Sequence, residues 1–202
     1  MAIFSSSAST NSAGPQNGFT LLEILVVVGI TVVLTAMVAG YSRESSRQLA
    51  LVGTETKMLN LLSRAKFLSV ETFFGGGRSG DQRICAYGVK VDVPNQEMFI
   101  FQDLSSTPGC LPDNPLGNND GRYSDISERL AGELNEVKLA NTTLAFGETN
   151  LSEAVFIPPE PRTKIRRTDN SEVEEAKLSV KIKEGNGEFV ITVNKYGQIK
   201  AK

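Results

Sequence analysis

The chain has 202 residues, with 21 Lys and Arg against 23 Asp and Glu, a net charge near −2, and neither histidine nor tryptophan. A charge so close to zero excludes a general attraction to nucleic acid or to an anionic membrane surface, and no nucleic-acid partner is expected. Without histidine there is no imidazole acid–base chemistry, no histidine-dependent triad and no histidine metal site, so the expectation is that the chain is not an enzyme.

Residues 1–18 are rich in Ser, Ala and Asn and contain Gly14-Pro15 near their end. Such a composition buries no core and reads as a removable leader. An ordinary secretory signal peptide fits less well. The first residues carry no positive charge, the apolar run that follows is long for a signal h-region, and no Ala-x-Ala site closes it.

From Phe19 to Tyr41 the residues are Ile, Leu, Val, Met, Ala and Thr with glycines at Gly29 and Gly40, and the only charged side chain is Glu23. As a helix this segment spans roughly 35 Å, enough for a hydrocarbon core of about 30 Å. No polar face can be picked out, so it requires apolar surroundings on every side. A carboxylate in such a run costs on the order of 2.5–3.5 kcal/mol at a bilayer centre and calls for a partner. The simpler account places Glu23 in the first turn, where it favours the positive end of the helix dipole. If the chain were cut after Gly18, Phe19 would carry a free ammonium, and that group on a neighbouring copy is a natural counter-ion.

Gly18-Phe19-Thr20-Leu21-Leu22-Glu23 followed by this hydrophobic run closely resembles the class III signal sequence of type IV pilins and type II secretion pseudopilins. The resemblance implies cleavage between Gly18 and Phe19 by prepilin peptidase, with N-methylation of Phe19 by the same enzyme. It implies pairing of Glu23 with Phe19 of an adjacent subunit during assembly. The partners it implies are other subunits and an inner-membrane assembly platform with its ATPase. Two features depart from the family pattern. The leader lacks Lys and Arg, with Gln16 and Asn17 before the glycine. Arg43, Arg47 and Lys57 follow the span, so the positive-inside rule alone would leave the C-terminal side in the cytoplasm. The resemblance implies the reverse: a single pass through the inner membrane, an extracytoplasmic C-terminal domain, and then a place in a pilus or pseudopilus.

Helical patterning continues over 42–74, with Leu51, Met58, Leu62 and Ala65 on the core side, Leu59 and Val70 flanking, and Arg43, Arg47, Lys57, Arg64 and Lys66 elsewhere. Gly75-Gly76-Gly77 stops the helix. No Gly-Lys-Ser/Thr follows these glycines, which argues against nucleotide binding. Residues 75–202 then read as a β-rich globular domain. From Arg83 the period becomes two, placing Cys85, Tyr87, Val89, Val91 and Val93 on one face. Pro94-Asn95 turns the chain and Met98 to Phe101 returns as a second strand, a hairpin that resembles the first of minor pseudopilins. The loop-rich domain points the same way, to a minor subunit.

Cys85 and Cys110 are the only cysteines, and outside the cytoplasm such a pair favours a disulfide over two thiols. The stretch 103–125 reads as a long loop. In it Asp113, Asn118, Asp120 and Asp125 could offer oxygen ligands to Ca2+, although their spacing does not match an EF-hand and Asn-Asp-Gly is ordinary turn chemistry. Ile126 to Ala131 reads as a helical turn, and Leu134 to Ala140, Thr143 to Phe146 and Val155 to Ile157 as short strands. Arg162, Lys164, Arg166 and Arg167 read as a basic solvated loop beside Glu172, Glu174 and Glu175, with a filament or DNA contact as the weaker alternative. Alternation at Leu178, Val180 and Ile182, a turn at Gly185-Asn186-Gly187, a run from Phe189 to Val193 and a last strand at Ile199 complete the chain.

The expected fold is α+β and pilin-like: one long N-terminal helix, first transmembrane and then amphipathic, packed on an antiparallel sheet. The expected role is that of a filament subunit. A single-span anchored binding domain that never polymerises is the alternative. A secreted enzyme is disfavoured because no nucleophile with a positioned base is visible.

Overall fold

The computed structural model describes residues 19–75, 77–79, 82–105, 122–124, 126–140, 142–158 and 162–202. Helix α1 runs Leu21–Gly75. The chain divides into two units, one up to Arg43 and one from Glu44 to Lys202, and each is described by itself.

In the first unit the described helical residues are exposed on every side. Apolar residues face outwards all round the helix, from Leu21 at 81 % to Tyr41 at 79 % relative exposure. Among the described residues this is the one helix long and apolar enough to cross a membrane. Two hydroxyls within it are satisfied locally: Thr31 Oγ1 donates to the Val28 carbonyl at 2.9 Å and Thr35 Oγ1 to the Thr31 carbonyl at 2.7 Å. In an apolar medium these bonds remove the cost of bare hydroxyl groups.

In the second unit α1 becomes one-sided. Leu51, Met58, Leu61, Leu62 and Ala65 are buried in the main core, and Leu59 packs against it. Val70, expected to flank that core, is 45 % exposed and lies with Leu49, Val52 and Phe67 on the outward side. Burying each of the large side chains contributes about 1.5–3 kcal/mol. The end of α1 is closed by a bond from the Gly77 N–H to the Thr72 carbonyl at 3.3 Å. A Cβ at Gly77 would lie 2.6 Å from Thr72 Cγ2, so the glycine permits a closure that a side chain would obstruct.

The strands are β1 (Arg78–Ser79), β2 (Gln82–Asp92), β3 (Glu97–Ser105), β4 (Glu136–Lys138), β5 (Leu144–Phe146), β6 (Leu151–Ile157), β7 (Arg162–Arg167), β8 (Glu172–Val173), β9 (Glu175–Ile182), β10 (Glu188–Asn194) and β11 (Ile199–Ala201). They form two antiparallel sheets among the described residues. One has the order β4-β3-β2-β6-β7-β8 with β1 on β2, and the other has the order β11-β10-β9-β5. The main core joins α1 to both sheets. Three helix side chains tie it down further. Ser69 Oγ donates to the Phe156 carbonyl at 2.5 Å, Lys66 Nζ to the Gly197 carbonyl at 3.0 Å, and Arg47 to the carbonyl and carboxylate of Glu184.

The hairpin expected around Pro94-Asn95 is present as β2 and β3, but its faces differ from strict alternation. The register shifts between Ile84 and Ala86, so Cys85 is an extra residue in a β-bulge. The bulge returns Ile84 to the same core as Tyr87, Val89 and Val91. The opposite face is buried too, because Ala86, Phe99, Phe101 and Val155 form a second cluster under Tyr123 and Ile157. Tyr123 meets Phe99 and Phe101 edge-on, with centroids 5.1 and 5.6 Å away. Part of the stretch expected to be a loop from 103 belongs to β3, which continues through Ser105. The segment Leu134 to Ala140 starts within a short 3-10 turn, Glu133–Asn135, and only its next three residues form strand β4.

The expected basic loop is a strand. Arg162, Lys164, Arg166 and Arg167 belong to β7, which pairs with β6 and β8. Arg166 is 2 % exposed, bonded to Glu153 at 3.2 Å and to Glu172 at 3.1 Å. Lys90 approaches the other oxygen of Glu153 at 2.8 Å. A charge-rich segment forms a strand here because these carboxylates neutralise the guanidinium inside the sheet layer.

Candidate functional site

The motif residues surround the start of α1. Gly18 lies outside the described residues; Phe19 is 77 % exposed, two positions before the helix begins. Thr20 is the residue that starts the helix. Its Oγ1 accepts the Glu23 N–H at 3.2 Å, and its carbonyl accepts the N–H groups of Glu23 at 3.1 Å and Ile24 at 3.2 Å. Unpaired N–H groups at a helix start require such acceptors, and threonine at this position supplies one through its side chain. Glu23 is the acidic residue of the first turn, where the helix dipole favours a negative charge.

The structure therefore brings Thr20 and Glu23 together and leaves Phe19 at the free edge of the same turn. Sequence reasoning passed over Thr20. Its signal was present, because Thr-x-x-Glu ahead of an apolar run is the pattern of a capping box. Chemically the arrangement is a helix end with one carboxylate on an exposed apolar rod. It offers an anion for pairing and a large apolar surface for lipid or for other helices.

The remaining sequence-derived sites divide differently. Cys85 is buried in the bulge of β2 and none of the described cysteines is free, while Cys110 lies outside the described residues. Asp113, Asn118, Asp120 and Asp125 also lie outside them. No cluster of three or more metal-ligating side chains occurs among the described residues. An open groove of about 450 Å3 in the second unit has Lys57, Arg64 and Lys138 facing Glu133 and Glu136. Glu136 is already committed there: Lys138 donates to it at 2.7 Å and Arg129 at 2.7 Å.

Residues 14–39 match the family model described as the prokaryotic N-terminal methylation motif. No curated protein and no solved structure matches the chain. The match supports a precursor of the pilin and pseudopilin type processed by prepilin peptidase, and a structural subunit rather than an enzyme. Together with the apolar helix it supports a membrane-anchored, single-pass protein.

Proposed function

We propose that the chain is a structural subunit, of the minor kind, in a type IV pilus-like filament or a type II secretion pseudopilus. In this reading prepilin peptidase cleaves after Gly18 and methylates Phe19. The mature protein waits in the inner membrane with its C-terminal domain outside the cytoplasm. An assembly platform with its ATPase then moves it into a filament of like subunits. The observation that carries the reading is a coincidence of position. The matched motif, residues 14–39, covers the start of a helix that begins three residues after the cleavage glycine and is exposed and apolar as far as Tyr41. Such a surface is stable only in lipid or among other apolar helices. On assembly one environment replaces the other, and the ammonium of Phe19 on one copy neutralises Glu23 on the next.

N-terminal sequencing and mass spectrometry of the protein recovered from cells test this directly. The expected product begins at an N-methylated Phe19. Recovery of a chain that still begins at Met1, or begins at any residue other than Phe19, overturns the reading. An uncut, monomeric membrane form favours the anchored binding domain instead.

A further inference from the structure

The turn between β9 and β10 is the feature of the second unit that the filament reading does not use. It contains Gly185-Asn186-Gly187, and it is one of the parts of the small sheet that meet α1: Arg47 donates to Glu184, and a Cβ at Gly187 would lie 3.3 Å from Leu51. The turn closes through the Ile182 N–H, which donates to the Gly187 carbonyl at 3.0 Å. Among the described residues no acceptor takes the Gly187 N–H. Asn186 is exposed, and among the described residues no hydrogen bond holds its side-chain amide. Glycine carries no Cβ to shield its nitrogen from the preceding side chain.

The other described asparagines are all restrained. Asn95 donates to Asp92 at 2.8 Å and Asn135 to the Ala131 carbonyl at 2.8 Å. Asn150 accepts from the Lys177 N–H at 2.7 Å, and Asn194 accepts from the Tyr196 and Gln198 N–H groups at 3.1 and 3.0 Å. Asn60 lies inside α1, where the following N–H is part of the helix ladder. After Asn170 the next N–H, that of Ser171, is held by Asp169 at 2.9 Å.

We infer that Asn186 is a site of spontaneous, water-consuming deamidation in the folded protein. The Gly187 nitrogen, after losing its proton to solvent base, attacks Cγ of Asn186. The C–N bond of the side-chain amide breaks, ammonia leaves, and a five-membered succinimide remains. Water then opens either carbonyl, giving aspartate or isoaspartate. One water enters and one ammonia leaves, with no oxidation or reduction. The isoaspartate product places an extra methylene in the main chain between positions 186 and 187. That lengthening pulls the Gly187 carbonyl away from Ile182 and loosens the turn from Arg47.

The test ages the full-length protein in detergent at mildly alkaline pH, in parallel with a urea-unfolded sample. Peptide mapping and enzymatic isoaspartate labelling read the products, and hydrogen exchange reads the Ile182 amide. The expected result is conversion at Asn186 in the folded sample ahead of every other described asparagine, with loss of Ile182 protection in the isoaspartate fraction. Asn186→Gln is expected to abolish the label at this turn while keeping Ile182 protected. An Asn186 that stays intact in the folded sample while converting in the unfolded one overturns the inference, as does conversion that follows unfolding.

Discussion

Glu23 and Arg166 are both charges beside apolar groups; Arg166 is met by carboxylates of its own chain, whereas the partner proposed for Glu23 is the Phe19 ammonium of another copy. Glu23 has its backbone N–H on Thr20 Oγ1 and its carboxylate at the helix start. Glu23→Ala is therefore expected to leave peptidase cleavage after Gly18 intact while reducing incorporation into filaments, read by shearing filaments from cells and immunoblotting the subunit. Normal incorporation of the variant would remove the pairing role. Arg166 is held between Glu153 and Glu172 inside the sheet layer. Arg166→Met leaves Glu153 facing only Lys90, and breaking a buried pair in this way costs about 3 kcal/mol, the low end of the usual range because one cation remains. Urea unfolding of the variant is expected to show a lower midpoint, largely restored when Glu153→Leu is added. An unchanged midpoint for the single variant would mean that the pair contributes nothing. The burial of Arg166 was not legible from the residues alone. Four basic residues among six look solvated until the strands that carry their partners are known.

At the scale of elements, Arg129 ties together pieces distant in the chain. Its guanidinium reaches Glu97 in β3 at 2.9 Å and Glu136 in β4 at 2.7 Å, and lies 4.2 Å from the ring centroid of Phe99. Bonding to Glu97 holds the guanidinium pKa above its ordinary value, against the opposing effect of burial. Lys138, and then Arg129, hold the Glu136 carboxyl below its ordinary value. A carboxyl lowered on folding contributes stability that is fully present above its unfolded pKa, about 4.3. That contribution is lost as pH falls through the lower folded value. Unfolding followed from neutral to acid pH is thus expected to show a loss of stability below about pH 4.3 that Glu136→Gln diminishes. An identical acid limb in the variant would show that this carboxyl does not matter. The existence of β2, β3, β6, β9 and β10 was readable because alternation and turn residues are local signals. The bulge at Cys85 was not, because it is a property of the β2–β3 register rather than of either strand.

At the scale of the molecule, the second unit carries its own core, while among the described residues the first carries none. Stability and anchoring are therefore separable, and the domain relies on α1 from Leu51 onwards as part of its packing. Closing the chain between residues 85 and 110 by a disulfide would add roughly 3–4 kcal/mol through the reduced freedom of the unfolded state. We expect unreduced full-length protein to resist alkylation at both cysteines, with a lower unfolding midpoint after reduction. Two alkylated thiols without reductant would reject the pairing.

The amino-acid sequence alone determined the long helix, its change from all-round apolar to one-sided, its terminating glycines, and the motif at its start. These depend on composition and spacing within a few turns, where propensity and periodicity act directly. Tertiary structure alone decided the division into two sheets, the flip at Cys85, the outward position of Val70 and the burial of Arg166. Each of these depends on which distant segment lies alongside. A charge enters a core, or a valine leaves it, according to the neighbours that folding brings to it.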